Sequence, residues 1–243
     1  MAKYDGDPMD WPRLRWRAFQ DSLRWKQGEH LLVIGDTGSG KTTLLRHLVP
    51  HHREFVVVFV TKTFDQSFDR KKWPGFTILR EWDKRKAVRA RKVLLWPEGK
   101  GTIPETVENQ KRVFDKAINE IFNQRGWCLV IDEMQWMIDQ LRFDLHMRTM
   151  QHQGRSSGLT IVSGFQRPAG VPLIVYTSAS RIFFSNQTED ADVKRISGMA
   201  GLGDADPLKV KAALPRIAKH DWLYLGKDIG ACLTRIPDNL AKK

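Results

Sequence analysis

The sequence has few of the features that mark secreted, membrane-spanning or metal-centred proteins. It contains only two cysteines, Cys128 and Cys232, and no cysteine and histidine spacing typical of a metal site. Cys128 falls in an apolar run, where a cysteine acts as a small core residue. No run of 18 apolar residues is present, and the first ten residues are polar and acidic rather than signal-like. These absences predict a reduced, soluble, cytoplasmic protein with neither a disulfide framework nor a membrane segment.

Positive charge is abundant and unevenly distributed. The 243 residues carry a formal net charge of +12, and the segment from Arg70 to Lys92 holds ten Lys and Arg residues against two acidic ones. Two-thirds of the net charge is therefore concentrated in less than a tenth of the chain. This concentration indicates a polyanionic partner, with a simple solvated basic face as the alternative. A membrane surface is less favoured, because no bulky apolar stripe accompanies these charges.

One stretch carries the strongest chemical signal. Gly35, Asp36, Thr37, Gly38, Ser39, Gly40, Lys41 and Thr42 match G-x-x-x-x-G-K-[S/T], the phosphate-binding loop of P-loop NTPases. A short apolar run, His30–Ile34, precedes this glycine loop, and a helical pattern from Lys41 through Thr43 to Leu48 follows and is predicted to stop near Pro50. In this arrangement Lys41 would reach the β- and γ-phosphates of ATP, and Thr42 would ligate Mg²⁺.

Polar residues at the ends of two later apolar runs complete a candidate ATPase site. The run Trp127–Ile131 delivers Asp132 and Glu133, which suits a Walker B strand in which Asp132 supports Mg²⁺ and Glu133 takes a proton from water. Gln166 ends the run that begins at Leu159. If that run lies between the other two strands of the sheet, its carboxamide would point towards the γ-phosphate and could orient water.

The hydrophobic patterns predict alternating strands and helices, and therefore an α/β fold with a doubly wound, mostly parallel sheet. A short N-terminal helix is predicted over residues 10–26, capped by Asp10, and a small C-terminal hairpin pairs Asp221–Gly226 with Ile229–Ile236. The predicted divisions are a helical extension (1–27), an ATPase core (28–200) and a helix with hairpin that continues the same domain (201–243). Further elements are predicted as strands over 54–61, 76–79, 92–97 and 181–186, and as helices over 104–124, 141–152 and 191–199.

The order of four motifs resembles the FtsK–HerA superfamily of ring ATPases. These motifs are the glycine loop, the Asp132-Glu133 pair, His152–Gly158 with its Gly-Arg-Ser core, and Phe165–Pro168 with its Gln-Arg-Pro sequence. The resemblance covers roughly residues 28–199. It implies a P-loop core of the RecA-like (ASCE) type that binds ATP and Mg²⁺ and pumps double-stranded DNA. The chain is shorter than the partition and conjugation motors of that superfamily, which favours a compact phage-type packaging motor acting in the host cytoplasm.

The resemblance also implies a homo-oligomeric ring with an arginine that acts on the neighbouring subunit's nucleotide. Arg155 precedes the strand that ends at Gln166 and would lie at the sheet edge opposite its own glycine loop. It is the favoured candidate, with Arg148 and Arg181 as alternatives. A capsid portal or another docking protein is a further expected partner.

The predicted function is therefore an oligomeric ATPase that translocates double-stranded DNA for packaging. Its DNA contacts are predicted at Lys84, Arg85, Lys86 and Arg89, with loops near Lys194 and Arg195 as the alternative path. Three other functions stay open at this point: a small-molecule kinase, a nucleotide-gated nucleic-acid-binding module with slow hydrolysis, and an RNA translocase.

Overall fold

A computed structural model describes residues 4–197, 204–237 and 240 and has an α/β fold. In chain order its helices and strands are β1 Arg13–Arg15, α1 Trp16–Ser22, β2 His30–Ile34, α2 Lys41–His52, β3 Val56–Phe59, β4 Thr77–Leu79, α3 Lys84–Ala90, β5 Lys92–Leu95, α4 Ile103–Asn123, β6 Cys128–Ile131, α5 Met134–Asp139, α6 Asp144–Gln153, β7 Thr160–Phe165, α7 Leu173–Ser178, β8 Ala179–Phe184, α8 Asp190–Ser197, α9 Pro207–Ala213, β9 Asp221–Gly226 and β10 Gly230–Arg235.

The chain forms two compact units, which we call the first and second unit. The first unit comprises the described parts of 1–25, 31–44 and 165–243, and the second comprises 26–30 and 45–164. The predicted three-part division, with boundaries at residues 27 and 200, divides the chain into consecutive segments rather than by contacts, and it stays a prediction.

The second unit is built on parallel strands. Their order is β7-β6-β3-β5-β4, and each neighbouring pair is parallel, with Val58 level with both Leu94 and Val130. Every residue of β3, β6 and β7 is buried. Strands covered on both faces are expected to be continuously apolar, which is how β3 and β6 look in the sequence, whereas β7 also contains Thr160 and Ser163. Burial raises the pKa of Cys128 in β6 to about 12, which agrees with a core role for that thiol.

Helix α4 shows why a helix forms where the sequence predicts one. Thr102 and Glu105 make a reciprocal capping box at its amino end. Its apolar face is buried, and Phe114 stacks on Phe59 of β3 with 4.4 Å between ring centroids. The helix therefore fixes the position of β3 and of the loop that follows it.

The first unit is mixed rather than parallel. Its strand order is β1-β10-β9-β8-β2, in which β10 pairs antiparallel with β9, and β9 antiparallel with β8. The predicted C-terminal hairpin is confirmed as β9 and β10. Aromatic rings fill the core, where Phe19 and Phe183 each lie 5.0 Å from the ring of Tyr224.

Four local predictions need correction. The N-terminal helix occupies only Trp16–Ser22, and Arg15 rather than Asp10 stands at its N-cap, because residues 13–15 form β1 and pair with 233–235 at the other end of the sequence. Helix α2 continues through Pro50 to His52. The helix predicted over 141–152 is α6, Asp144–Gln153, whereas α5 before it and α3 in the basic segment were not predicted. The end of the helix predicted to reach residue 199 lies outside the described residues.

Within the described ranges, the structure contains no helix of the length and apolar character needed to cross a membrane.

Candidate functional site

The glycine loop lies in the first unit and has the backbone conformation of a phosphate cradle. Gly38 and Gly40 adopt φ of +81° and +95°, a region that side-chain-bearing residues rarely occupy. A Cβ on Gly35 would lie within 2.6 Å of the hydroxyl oxygens of both Ser185 and Ser39, so both side chains would have to shift. The loop leads directly into the amino end of α2, where backbone N–H groups and the helix dipole favour anions.

The side chains of the loop are arranged around its interior. Lys41 is only 8% exposed, and its ammonium donates to the carbonyl oxygen of Gly35 inside the loop. Thr42 and Thr43 follow in the first turn of α2 and are half-buried, as is Ser39, whereas Asp36 and Thr37 are exposed. The cation is therefore held where a bound phosphate would replace the loop carbonyls as its partner.

Gln166 is placed beside this loop by a main-chain hydrogen bond. The Gly35 N–H donates to the carbonyl oxygen of Phe165 at 3.1 Å, so the residue that follows Phe165 stands next to the start of the loop. Arg167 turns away and pairs with Asp192 of α8 at 3.0 Å. In the Gln-Arg-Pro sequence, the glutamine therefore directly follows the residue bonded to the loop, and the arginine anchors the turn that comes next.

Asp132 and Glu133 lie in the second unit, at the carboxyl end of β6, and both are half-buried. Gly164 of β7 runs so close to Asp132 that a Cβ on it would lie 2.9 Å from the Asp132 carbonyl carbon. A small cavity is lined by both carboxylate residues and by Thr61 and Lys62 at the end of β3. Lys62 was not among the predicted site residues. Its ammonium lies 3.6 Å from Asp65, which also lines this cavity.

The three candidate trans-acting arginines have different surroundings. Arg155 is exposed in the turn before β7, at the opposite end of that strand from Gly164 and Asp132. Arg148 is exposed but bonded through Nε to both carboxylate oxygens of Asp144. Arg181 is 5% exposed and paired with the buried Asp228 at 3.0 Å. Arg181 therefore has a buried structural partner, whereas Arg148 and Arg155 are both exposed.

The predicted DNA contacts all project from one short helix. Lys84, Arg85, Lys86 and Arg89 are exposed on α3, which Asp83 caps by accepting from the N–H of Lys86. Ala87 is the residue of this helix that is buried. The helix thus presents four cations to solvent together with the exposed Val88, and we call it the basic helix.

Three residues at the loop were missed by the sequence analysis. Ser185 and Asn186 follow β8, and the Ser185 N–H donates to the carbonyl oxygen of Ile34 directly before the loop. His220 lies on the other side, with Nδ1 3.4 Å from the carbonyl oxygen of Ser39. Polar residues at the end of an apolar strand could have indicated Ser185 and Asn186, whereas no local pattern indicates His220.

Comparison with protein families identifies the domain. A sequence profile described as the AAA ATPase domain matches residues 16–162, which is more than half of the chain. The chain belongs to the AAA ATPase domain family. The match includes the glycine loop, Asp132 and Glu133, and it ends before Gln166 and the C-terminal hairpin. No curated protein matches the chain by sequence at the significance required.

Solved structures show which ATPases share the fold. The DNA-packaging ATPase B204 of Sulfolobus turreted icosahedral virus aligns with a TM-score of 0.63 at 15% identity, covering 88% of this chain and 99% of that one. The genome-packaging NTPase B204 of Sulfolobus turreted icosahedral virus 2, solved with AMPPCP, aligns at 0.58 and 15% identity over 86% and 97%. The pCW3 conjugation coupling protein TcpA, solved with ATPγS, aligns at 0.53 and 17% identity over 89% and 65%. The predicted P-loop fold is confirmed, and the proteins that share it include viral packaging ATPases and a conjugation coupling protein.

Proposed function

We propose that this AAA ATPase is an oligomeric motor that hydrolyses ATP and translocates double-stranded DNA, in the setting of viral genome packaging. The observation that carries the proposal is the glycine loop, with Gly38 and Gly40 at positive φ, Lys41 turned inward and the residue before Gln166 bonded to Gly35. The folds of viral packaging ATPases and of a conjugation coupling protein support the choice of DNA as the cargo.

In this proposal the first unit binds the triphosphate. The loop N–H groups and the amino end of α2 hold the phosphate oxygens. Lys41 gives up its hydrogen bond to the Gly35 carbonyl oxygen and binds the β- and γ-phosphates instead. The phosphates are held by charge and main-chain dipoles, so this half of the site sets affinity for the nucleotide.

The residues present fit Mg²⁺. A hydroxyl at Thr42 and a carboxylate at Asp132 are oxygen donors of the kind that this ion prefers, alongside phosphate oxygens and water. When bound, the ion would neutralise charge that develops on the phosphates. Thr42 and Asp132 would hold it, and no further protein ligand is required.

Water activation is assigned to Glu133 and Gln166. Glu133 stands one residue beyond Asp132, half-buried, where its carboxylate can accept a proton from the attacking water. Gln166 can orient that water through its carboxamide without adding charge. A carboxylate at position 133 also disfavours a small-molecule kinase, because it serves hydrolysis rather than transfer to an acceptor.

The basic helix supplies the proposed DNA contact. Four exposed cations on a helix in which Ala87 is the buried residue suit the phosphate backbone, which carries no sequence information. A motor that passes over any sequence needs contacts of this kind. The ring, in which the exposed Arg155 acts on the neighbour's nucleotide, and the docking to a portal protein belong to the same proposal.

The decisive experiment measures ATP turnover with and without duplex DNA, and then displacement of the third strand from a triplex. We expect DNA to stimulate turnover and ATP to drive displacement. Glu133→Gln protein purified in parallel controls for contaminating ATPases. Turnover stimulated by DNA without strand displacement would instead indicate a nucleotide-gated clamp, and stimulation by duplex RNA alone would indicate an RNA translocase.

A further inference from the structure

A cavity of about 320 Å³ opens beside the glycine loop in the first unit. One side is formed by Asp36–Ser39, and the other by Ser185, Asn186 and residues 217–220. Its volume is in the range of small-molecule sites, which begins at about 300 Å³. The residues of the second side lie beyond the segment that the AAA ATPase profile matches.

We propose that this cavity is the nucleoside half of the nucleotide site and that the imidazole of His220 contacts the nucleoside. The inference rests on the proposed function, since it requires the triphosphate to lie in the glycine loop. The same loop residues line the cavity, so a nucleoside joined to those phosphates has this space directly beside it. The C-terminal segment 217–220 would then determine which triphosphates bind.

His220 is held in an unusual conformation against the loop. Its φ is +69°, which is uncommon for a residue that is not glycine, although histidine adopts it more often than most others. Its Nδ1 lies 3.4 Å from the Ser39 carbonyl oxygen, and a Cβ on Gly40 would lie 3.4 Å from the same nitrogen. The ring is half-buried at the wall of the cavity.

The surrounding chain fixes this conformation from both sides. The Asn186 carboxamide donates to the carbonyl oxygens of Pro215 and Ile217, both at 3.0 Å. The next residue, Asp221, is 4% exposed, and its carboxylate pairs with Arg13 at 3.1 Å. His220 is therefore presented by a braced turn, as a residue that packs on a ligand must be.

A flat ring at this place is suited to the nucleoside rather than to the phosphates. Aromatic side chains stack on nucleobases, and such contacts contribute a factor of roughly 5 to 150 in affinity. The phosphates already have Lys41 and the loop N–H groups as partners. The two parts of the nucleotide can thus be tested separately.

The test compares ATP with inorganic tripolyphosphate, which has the phosphates but no nucleoside. Calorimetric titration of both probes is carried out on wild type, His220→Ala, Lys41→Ala and the control Arg216→Ala, an exposed residue of the same turn outside the cavity lining. We expect His220→Ala to weaken ATP about tenfold and to leave tripolyphosphate within about twofold, because the stacking contribution applies to the nucleoside alone. Lys41→Ala should weaken both probes, and Arg216→Ala neither.

Equal weakening of both probes by His220→Ala would make the histidine a phosphate contact and overturn the inference, as would no effect on either. Because φ is positive at position 220, His220→Asn provides a second variant that tolerates this backbone while removing the ring. It should reproduce the selective loss of ATP affinity. If wild type binds neither probe, the proposed function itself fails. If wild type binds both and neither His220 variant changes ATP affinity, only the inference about His220 fails.

Discussion

The two units of this ATPase contain ion pairs in different surroundings. In the second unit, β3, β6 and β7 are buried along their whole length, and ion pairs such as Arg91–Glu54 lie on the surface with side chains 61% and 62% exposed. In the first unit, Arg181 and Asp228 form an ion pair with side chains only 5% and 8% exposed. The ion pair described in the second unit is therefore solvated, whereas the one in the first unit is buried and depends on the polar groups around it.

That network joins segments that are distant in sequence. Asp228, in the turn between β9 and β10, accepts from Arg181, from the hydroxyl of Tyr224 and from the N–H of Arg24. Arg181 also donates to the Arg24 carbonyl oxygen at 2.7 Å. The hydrogen bonds satisfy both charged groups, which is the condition under which a buried pair is tolerated.

The proposed chemistry is divided in the same way. The glycine loop, Gln166 and His220 belong to the first unit, whereas Asp132, Glu133, Arg155 and the basic helix belong to the second. Variants of Lys41 and His220 should therefore affect nucleotide binding, whereas variants of Glu133, Arg155 and the basic helix should affect turnover and DNA.

The largest effect is expected from Arg155. Arg155→Ala should bind ATP but lose roughly 10³- to 10⁵-fold in turnover, the value of an arginine placed at developing phosphate charge. Glu133→Gln should be inactive for a different reason. A mixture of the two variants forms some sites with an intact Glu133 from one subunit and an intact Arg155 from the next, so mixing should restore ATP hydrolysis.

The control for that experiment is a mixture of Lys41→Ala with Glu133→Gln. Lys41 and Glu133 both act on the nucleotide that their own subunit binds. Every site in this mixture therefore lacks one of the two residues, and no hybrid interface is complete. Recovery in the first mixture alone supports a trans-acting arginine. If subunits exchange, as shown by labelled protein, and activity stays absent, Arg155 is not that arginine and Arg148 should be tested next.

A second prediction separates the two units directly. Glu133→Gln should retain ATP binding and lose about 10²- to 10⁴-fold in turnover, because it removes a proton acceptor and no binding charge. Lys41→Ala should weaken ATP binding itself, measured by titration with a slowly hydrolysed analogue. A Glu133→Gln protein with near wild-type turnover would remove Glu133 from the mechanism.

A third prediction tests the buried network through stability. Asp228→Ala leaves the Arg181 charge without its carboxylate in a buried site and should lower the free energy of unfolding by about 3–5 kcal/mol. The matched variant in the second unit, Glu54→Ala, breaks an exposed pair and should cost no more than about 1 kcal/mol. Urea unfolding measures both, and equal effects would contradict the contrast between the units.

The same network predicts a pH dependence. Burial acts to raise the pKa of Asp228, but the Tyr224 hydroxyl and Arg181 outweigh it, so the pKa lies below its ordinary value. A depressed pKa stabilises the fold at pH values above the unfolded-state pKa of about 3.9, and this contribution is lost as the pH falls through the folded-state pKa. Asp228→Asn should therefore be less stable than wild type at neutral pH, with the difference narrowing in acid.

The contrast between the units also explains which parts of the fold and of the candidate site could be predicted from the sequence. The strands of the second unit were predictable because continuous apolar runs such as Val56–Phe59 and Cys128–Ile131 are typical of strands covered on both faces. The glycine loop and the Asp132-Glu133 pair were predictable because their chemistry requires neighbouring residues in a fixed order. Whether these residues act as assigned stays a prediction.

The features that sequence could not predict depend on contacts between distant segments. Strand β1 forms because residues 13–15 pair with 233–235, and a helical pattern alone gave the wrong start for α1. His220 reaches the Ser39 carbonyl across 181 positions of sequence. Periodicity within a window of the chain contains no signal for either contact.

The smallest effect per residue is expected at the basic helix. Replacing Lys84, Arg85, Lys86 and Arg89 by Gln should weaken binding of unrelated duplexes alike and lower the slope of log K against log salt by about 0.9 for each DNA phosphate that the protein no longer neutralises. Lys86 should contribute least, because its ammonium already lies 3.9 Å from Asp83. The matched variant carries Lys194→Gln and Arg195→Gln on α8 of the first unit, where both side chains are exposed. A slope that changes only in the basic-helix variant assigns DNA binding to the second unit, whereas a change only in the α8 variant would move the DNA path to the first unit and remove this part of the contrast.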